Sequence, residues 1–140
     1  REAALVAETV RGLREAYVEE LLFPHFGAMV NFVGQTEPLV AENNAGRLGK
    51  YQEKVPNIVA SFGAGWKSAI EQIHREILSS FTNLDAGTDV LQDTLTQLVQ
   101  YYGRFQKVLA HSAFASCPQR GSLVNTHQIM VELKKYKSAF

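Results

Sequence analysis

The sequence contains four histidines and one cysteine, the side chains that most often bind transition metals or act as bases and nucleophiles. No histidine has another histidine or the cysteine three or four residues away, the spacing that places two metal ligands on one helical face. Glu71 and His74 are the best remaining ligand pair, but a di-metal bundle needs this pattern twice. We therefore expect no metal, and an enzyme using a metal held by Glu71 and His74 is the most remote hypothesis.

Two further groups have residue types used in catalysis. Cys117 would need a histidine base nearby in space, and His111 and His127 are the candidates. A free thiol without a catalytic role is the simpler interpretation. Glu19 and Glu20 are adjacent carboxylates, but the helical pattern places them on the solvent side of the first helix. Neither group predicts an active site.

Residues 63–68, Gly-Ala-Gly-Trp-Lys-Ser, partly match a phosphate-binding loop. Such a loop requires Gly-x-x-x-x-Gly-Lys-Ser/Thr after a strand. Here Trp66 separates Gly65 from Lys67, and the surrounding pattern is helical. We expect Trp66 to face the core and Lys67 to be solvated, so nucleotide binding is not predicted. The glycines here lower helix propensity, and they would also permit a close helix crossing.

The composition is that of an ordinary soluble domain. The 140 residues include 46% hydrophobic and 20% charged residues, with 14 basic against 14 acidic side chains. This balance gives no field that would attract nucleic acid. The single cysteine excludes an internal disulfide and suggests a reducing, cytosolic setting. The longest apolar runs are far shorter than the roughly 18 residues that span a bilayer.

The chain is expected to be a single domain, residues 1–140. It opens on Arg1 inside a helical pattern without a cap, which predicts a fragment of a longer chain.

Hydrophobic periodicity is helical throughout the sequence. It predicts an all-α fold, an elongated antiparallel bundle of about five helices. The predicted helices cover about residues 2–23, 25–43, 48–82, 89–111 and 122–137. Pro24 is expected to end or kink the first, and Pro38 to break or bend the second. Pro56 marks either a kink in the third helix or the first turn of a helix.

Apolar stripes mark the predicted core faces. The first helix carries Val6, Val10, Leu13, Tyr17 and Leu21. The third carries Val55, Val59, Phe62, Trp66, Ile70, Ile73, Ile77 and Phe81. The fourth has a heptad seam of Leu91, Leu95, Leu98, Tyr102, Phe105 and Leu109. Residues 83–87 are predicted to connect the third and fourth helices, and we expect Asp85 or Thr88 to cap the fourth.

The last predicted helix is short and ends with basic residues. Its stripe is Leu123, Val124, Met130, Leu133 and Tyr136. His127, Met130 and Leu133 are expected to face inward or toward a partner. Lys134, Lys135 and Lys137 lie in the last turn, where positive charge complements the helix dipole. Three lysines are fewer than the cluster expected for lipid recognition.

Four sequence blocks, in one order along the chain, resemble the C-terminal region of the vacuolar protein sorting-associated protein 52 family. The blocks are Phe23-Pro24-His25-Phe26-Gly27; Phe62-Gly63-Ala64-Gly65-Trp66-Lys67-Ser68; Ser80-Phe81-Thr82-Asn83 continuing through Leu95-Thr96-Gln97-Leu98; and His127 with Met130-Val131-Glu132-Leu133-Lys134-Lys135. Residues 37–54 and 110–122 match least, as expected for loops. The last block makes His127, Met130, Glu132, Lys134 and Lys135 the candidate protein-binding residues.

The resemblance implies a non-enzymatic domain of the GARP and EARP vesicle-tethering complexes, which act in endosome-to-trans-Golgi retrograde transport and endosomal recycling. The implied partners are the other GARP and EARP subunits, a Golgi Rab GTPase and SNARE proteins; no cofactor is implied. The implied location is cytoplasmic, peripheral on trans-Golgi network and endosome membranes through these partners. The implied architecture is similar to the CATCHR-type helical rods of other tethers. A helical carrier of a small apolar ligand or cofactor is the alternative function.

Overall fold

The computed structural model describes the backbone of residues 2–136 and the side chains of residues 12–136. Its helices are α1 (Glu2–Ala41), α2 (Ala45–Leu48), α3 (Val55–Ser80), α4 (Leu84–Leu109) and α5 (Thr126–Lys134), with 3-10 turns at Gly49–Lys54, Ser112–Phe114 and Pro118–Ser122. The residues so described contain no strand, and the predicted all-α class is confirmed. Nowhere in this part of the chain is a helix both long enough and apolar enough to cross a bilayer.

Of the two expectations at Pro24, a helix end or a kink, the helix end is wrong, because α1 continues through Pro24 and Pro38 as one helix of 40 residues, about 60 Å long. An internal proline costs a helix roughly 3 kcal/mol. Leu22 and Phe26, on either side of Pro24, are both buried in the core. Each such side chain contributes about 1.5–3 kcal/mol by burial, so packing along α1 outweighs the loss at the proline.

The apolar stripe of α1 begins later than its sequence pattern predicts. Leu13 is exposed, Tyr17 is partly buried, and Leu21 belongs to the core. The ring of Tyr17 packs edge-on against Phe81, the residue that follows α3. Leu13 lines a surface hollow at this end of the bundle together with Tyr17 and Phe81. Val6 and Val10 lie outside the residues whose side chains the structure describes.

The predicted helix over residues 48–82 is shorter than expected, because α3 begins at Val55 and spans 26 residues. Pro56 occupies its first turn, where the missing proline N–H has no helical partner to lose. The residues before it form α2 and a 3-10 turn. The stripe itself is confirmed, since every predicted member within α3 is buried: Val55, Val59, Phe62, Trp66, Ile70, Ile73 and Ile77.

The predicted caps of α4, Asp85 and Thr88, are both wrong. Asn83 caps the helix, and its side-chain oxygen accepts hydrogen bonds from the backbone N–H groups of Asp85 at 2.9 Å and Ala86 at 3.1 Å. Thr88 lies inside the helix and donates its hydroxyl to the carbonyl of Leu84. The helix therefore starts five residues earlier than predicted. Its heptad seam is confirmed, because Leu91, Leu95, Leu98, Tyr102, Phe105 and Leu109 are all buried.

The long helices alternate in direction. Residues 81–83 join α3 to α4, and so short a connection makes them antiparallel neighbours. Early α1 meets the end of α3 through Tyr17 and Phe81, whereas Phe26 of α1 meets Phe62 nearer the start of α3. The helix α1 is therefore antiparallel to α3 and parallel to α4.

Aromatic rings form the centre of the core. The Phe32 ring lies 5.5 Å from Phe105, 5.9 Å from Phe114 and 6.1 Å from Tyr51, measured between centroids. These contacts join α1 to α4 and to two 3-10 turns. Further along the bundle, Phe62 stacks on Tyr102 at 4.5 Å, which joins α3 to α4.

Candidate protein-binding groove between α3 and α5

The entry to α5 is fixed against α4 by Tyr102. Its ring is buried, and its hydroxyl donates a hydrogen bond to the carbonyl oxygen of Val124 at 2.6 Å. Burial raises the pKa of Tyr102 to about 12, so the hydroxyl keeps its proton and donates at neutral pH. One turn further along α4, Gln106 accepts a hydrogen bond from the hydroxyl of Thr126 at 3.2 Å. These two bonds set where α5 begins.

The helix α5 then runs beside α3 in the same direction, from the level of Phe62 toward His74. Asn125 caps it by accepting the N–H of His127 at 2.7 Å. Ile129 and Leu133 face the core. Beyond the helix, the Tyr136 ring packs edge-on against His74 of α3, with 5.1 Å between centroids. Burial lowers the pKa of His74, which favours its neutral form in this contact.

A groove of about 610 Å³ lies between α3 and α5. It is lined by Gly63, Ala64, Trp66 and Lys67 of α3 and by Val124, His127, Gln128, Val131, Glu132 and Lys135. The lining residues from α3 and those from residues 124–135 are about 60 positions apart in sequence, and they meet because α5 lies beside α3. Trp66 is buried beside Phe62, whereas Gly63 and Ala64 are exposed. The floor of the groove is therefore made partly of small residues.

The groove carries more positive than negative side chains. Lys67 extends over the Trp66 ring, with Nζ 5.5 Å from the centroid, a cation–π contact. Lys135 Nζ lies 3.0 Å from the carboxylate of Glu132, a pair at the C-terminal end of α5. Val131 supplies an exposed apolar side chain. This set suits recognition of a charged, partly apolar protein surface and contains no nucleophile paired with a base.

The structure brings together three of the five predicted protein-binding residues, His127, Glu132 and Lys135, along the groove. Met130 and Lys134 are exposed but do not line it. Of the stripe expected to face inward or toward a partner, Leu133 is buried, whereas His127 and Met130 are exposed and Ile129 takes the other inward position. Both Ile129 and Met130 have helical spacing to Leu133, so the pattern of so short a helix could not separate them.

Lys134 occupies the last turn of α5, as the charge argument predicts, and Lys137 lies outside the described residues. Sequence reasoning did not assign Gly63, Trp66 and Lys67 to a binding site. Their signals were a pair of glycines inside an otherwise regular helical stripe and a place in one of the four blocks of family resemblance.

The remaining candidates for catalysis have structural contacts. Both ring nitrogens of His111 are engaged, one with Asn43 Oδ1 at 2.8 Å and the other accepting the N–H of Ala113. Cys117 is buried. Glu71 binds Arg75 at 2.5 Å within α3. In the part of the chain that the structure describes, no three histidine, cysteine or acidic side chains are placed to hold a metal ion.

Tyr102→Phe tests how the groove is held together. The change removes the hydroxyl that donates to Val124 and leaves that carbonyl without its partner, so we expect a loss of about 1–2 kcal/mol in unfolding free energy. Amide hydrogen exchange should accelerate more in α5 than in α3. Tyr17→Phe, at the opposite end of the bundle, is the control. Unchanged exchange in α5 would show that other contacts fix the helix.

Comparison with known proteins gives the family. No family model and no solved structure matches the chain. The chain is 41% identical over 137 residues, 98% of its length, to the Caenorhabditis elegans vacuolar protein sorting-associated protein 52 homolog. The human homolog is 41% identical over 90% of the chain, and protein 52 B of Arabidopsis thaliana is 35% identical over 95%.

The chain spans about a fifth of the length of these curated relatives: 20% of the nematode protein, 17% of the human and 19% of the plant protein. Within that fifth, the similarity runs through nearly the whole chain in animals and plants alike. The resemblance drawn from four short blocks is confirmed, and the chain is a homologue of a segment of vacuolar protein sorting-associated protein 52.

Proposed function

We propose that this chain is a non-enzymatic, protein-binding domain of a sorting subunit. The observation that carries the proposal is 41% identity over nearly the whole chain to proteins named for vacuolar protein sorting. That family is not a known enzyme class. The exposed face of α5 and the groove beside it provide binding surface without a paired nucleophile and base.

In its finer form, the proposal makes the chain a domain of the GARP and EARP vesicle-tethering complexes, acting in endosome-to-trans-Golgi transport and endosomal recycling. Its partners would be the other subunits of these complexes, a Golgi Rab GTPase and SNARE proteins. The domain would be cytoplasmic and held on trans-Golgi network and endosome membranes by these partners. The sequence resemblance supports this form, and a bundle of long helices is compatible with a rod-shaped tether.

The proposed binding residues are His127, Met130, Glu132, Lys134 and Lys135. Three line the groove, and the other two extend the same surface around α5. Met130 is the most informative of these for mutation, because its side chain is apolar and 44% exposed. A substitution there changes the surface with little effect on the core.

A pull-down with a Golgi Rab GTPase tests the proposal. The domain should retain the Rab in its GTP form better than in its GDP form. Met130→Asp should lower retention about tenfold, since it places a charge in an apolar contact. Leu78→Asp on α3, also 44% exposed, is the matched control and should bind normally. Equal retention of both nucleotide forms, or none, would remove the Rab as a partner of this domain.

The wider tethering role has its own readout. The full-length protein carrying Met130→Asp should be purified with the other complex subunits, next to the wild type and Leu78→Asp. A reduced yield of one subunit with Met130→Asp alone would place that subunit on the α5 surface. Failure of the wild-type protein to copurify with any GARP or EARP subunit would contradict the tethering assignment.

A further inference from the structure

Gly63 is a helix-weakening residue that the bundle itself does not require. Glycine inside a helix is unfavourable relative to alanine. A Cβ added at Gly63 would meet no atom within 4 Å, so internal packing leaves room for a side chain. At Gly27 the same Cβ would lie 3.3 Å from the Phe23 ring. The open space at Gly63 is on the groove side, where it lets another backbone approach α3 closely.

The charges around this open space select the partner. Lys67 lies on one wall of the groove and Lys135 on the other, with His127 nearby. Glu132, the acidic residue of the lining, already pairs with Lys135. A ligand carrying carboxylates would therefore meet the ammonium of Lys67 and, at Lys135, an ammonium that it shares with Glu132. The exposed Val131 would meet an apolar side chain of the same ligand.

We propose that the groove between α3 and α5 binds an acidic amphipathic helix of a partner protein, which crosses α3 at Gly63 with its carboxylates facing Lys67 and Lys135. The inference rests on the proposed function, because it names the partner class of the same surface. A helix is about 10 Å across with its side chains and can place apolar and acidic residues on one face. Small residues at a crossing allow two helix backbones to approach closely.

A designed peptide pair gives the direct test. The first is an 18-residue helical peptide with leucine on one face and glutamate flanking it, and the second replaces every glutamate with lysine. Trp66 is the single tryptophan of the chain and lines the groove, so its fluorescence reports occupancy. The acidic peptide should bind, and more weakly as salt rises. Equal binding of both peptides, or no binding of the acidic peptide at 1 mM, would overturn the inference.

Two glycine variants separate binding from folding. Gly63→Ala and Gly65→Ala both add a methyl group in open space on α3, so both should raise the melting temperature. Gly65 does not line the groove, and Gly65→Ala should bind the peptide normally. Gly63→Ala should weaken binding about tenfold although the domain is more stable. Equal affinities of the two variants would contradict a helix crossing at Gly63.

Charge reversal completes the test. Lys67→Glu combined with Lys135→Glu should abolish binding of the acidic peptide, whereas Lys50→Glu, outside the groove, should have little effect. Phosphatidylserine vesicles are the competing ligand. If the double variant loses vesicle binding while peptide binding is unchanged, the surface is a lipid site and the inference is wrong. Because Rab retention is measured separately, failure here with retention intact overturns the inference and not the proposed function.

Discussion

Leu98→Asp should leave the domain largely unfolded at physiological temperature, so that heating produces no cooperative transition. Leu98 is 1% exposed in the middle of the α4 seam, among side chains contributed by neighbouring helices. The substitution removes the apolar contacts of Leu98, which costs about 3–5 kcal/mol. It also buries a carboxylate among the apolar side chains of the core. Folded domains of this size are stable by only about 5–15 kcal/mol, so the combined loss consumes most of that margin.

The measurement is circular dichroism at 222 nm during a thermal melt, with urea unfolding as a second probe. Thr96→Asp is the matched control, because Thr96 is exposed on the same helix and threonine and aspartate have similar helix propensities. The control should melt near the wild-type temperature. An unchanged melt of Leu98→Asp would contradict the observed register of α4.

Phe32→Ala is expected to lower the unfolding free energy by about 3–5 kcal/mol, the usual cost of deleting a buried phenylalanine ring. Phe32 is 1% exposed, and its ring contacts Tyr51, Phe105 and Phe114. The truncation leaves a cavity where α1, α4 and two 3-10 turns meet. The neighbouring rings come from four segments of the chain and cannot all move in to fill it.

Urea unfolding of Phe32→Ala is best compared with Phe23→Ala. Phe23 is on the same helix but is 52% exposed, so truncating it should cost under about 1 kcal/mol. The urea midpoint should therefore fall far more for Phe32→Ala at a similar slope. Equal shifts in the two midpoints would show that the aromatic cluster is not a centre of stability.

The core faces of α3 and α4 could be predicted from sequence because each stripe is long. Seven predicted positions on α3 and six on α4 are all buried. Over this length the helical period is unambiguous, and one shifted residue would break the pattern. The nine-residue α5 offers too few turns for the same test, and its stripe included the exposed Met130 but not the buried Ile129.

The errors in helix boundaries have a common cause. Proline and capping preferences are local effects of about 1–3 kcal/mol, and burial of a few side chains is as large. At Pro24 the packing of Leu22 and Phe26 prevailed, and α1 is continuous. At Pro56 local preference and packing agree, and α3 begins there. Which effect prevails depends on neighbours that are distant in sequence.

The sequence by itself determined the helical class, the buried faces of α3 and α4, and the family, because long periodic stripes and extended similarity survive local ambiguity. Tertiary structure decided where the helices begin and which side of α5 faces the core. It also decided that Gly63 and Lys67 share a groove with His127 and Lys135. That groove depends on the hydrogen bond from Tyr102 to Val124 and on the packing of α5 against α4, and no local pattern encodes such contacts.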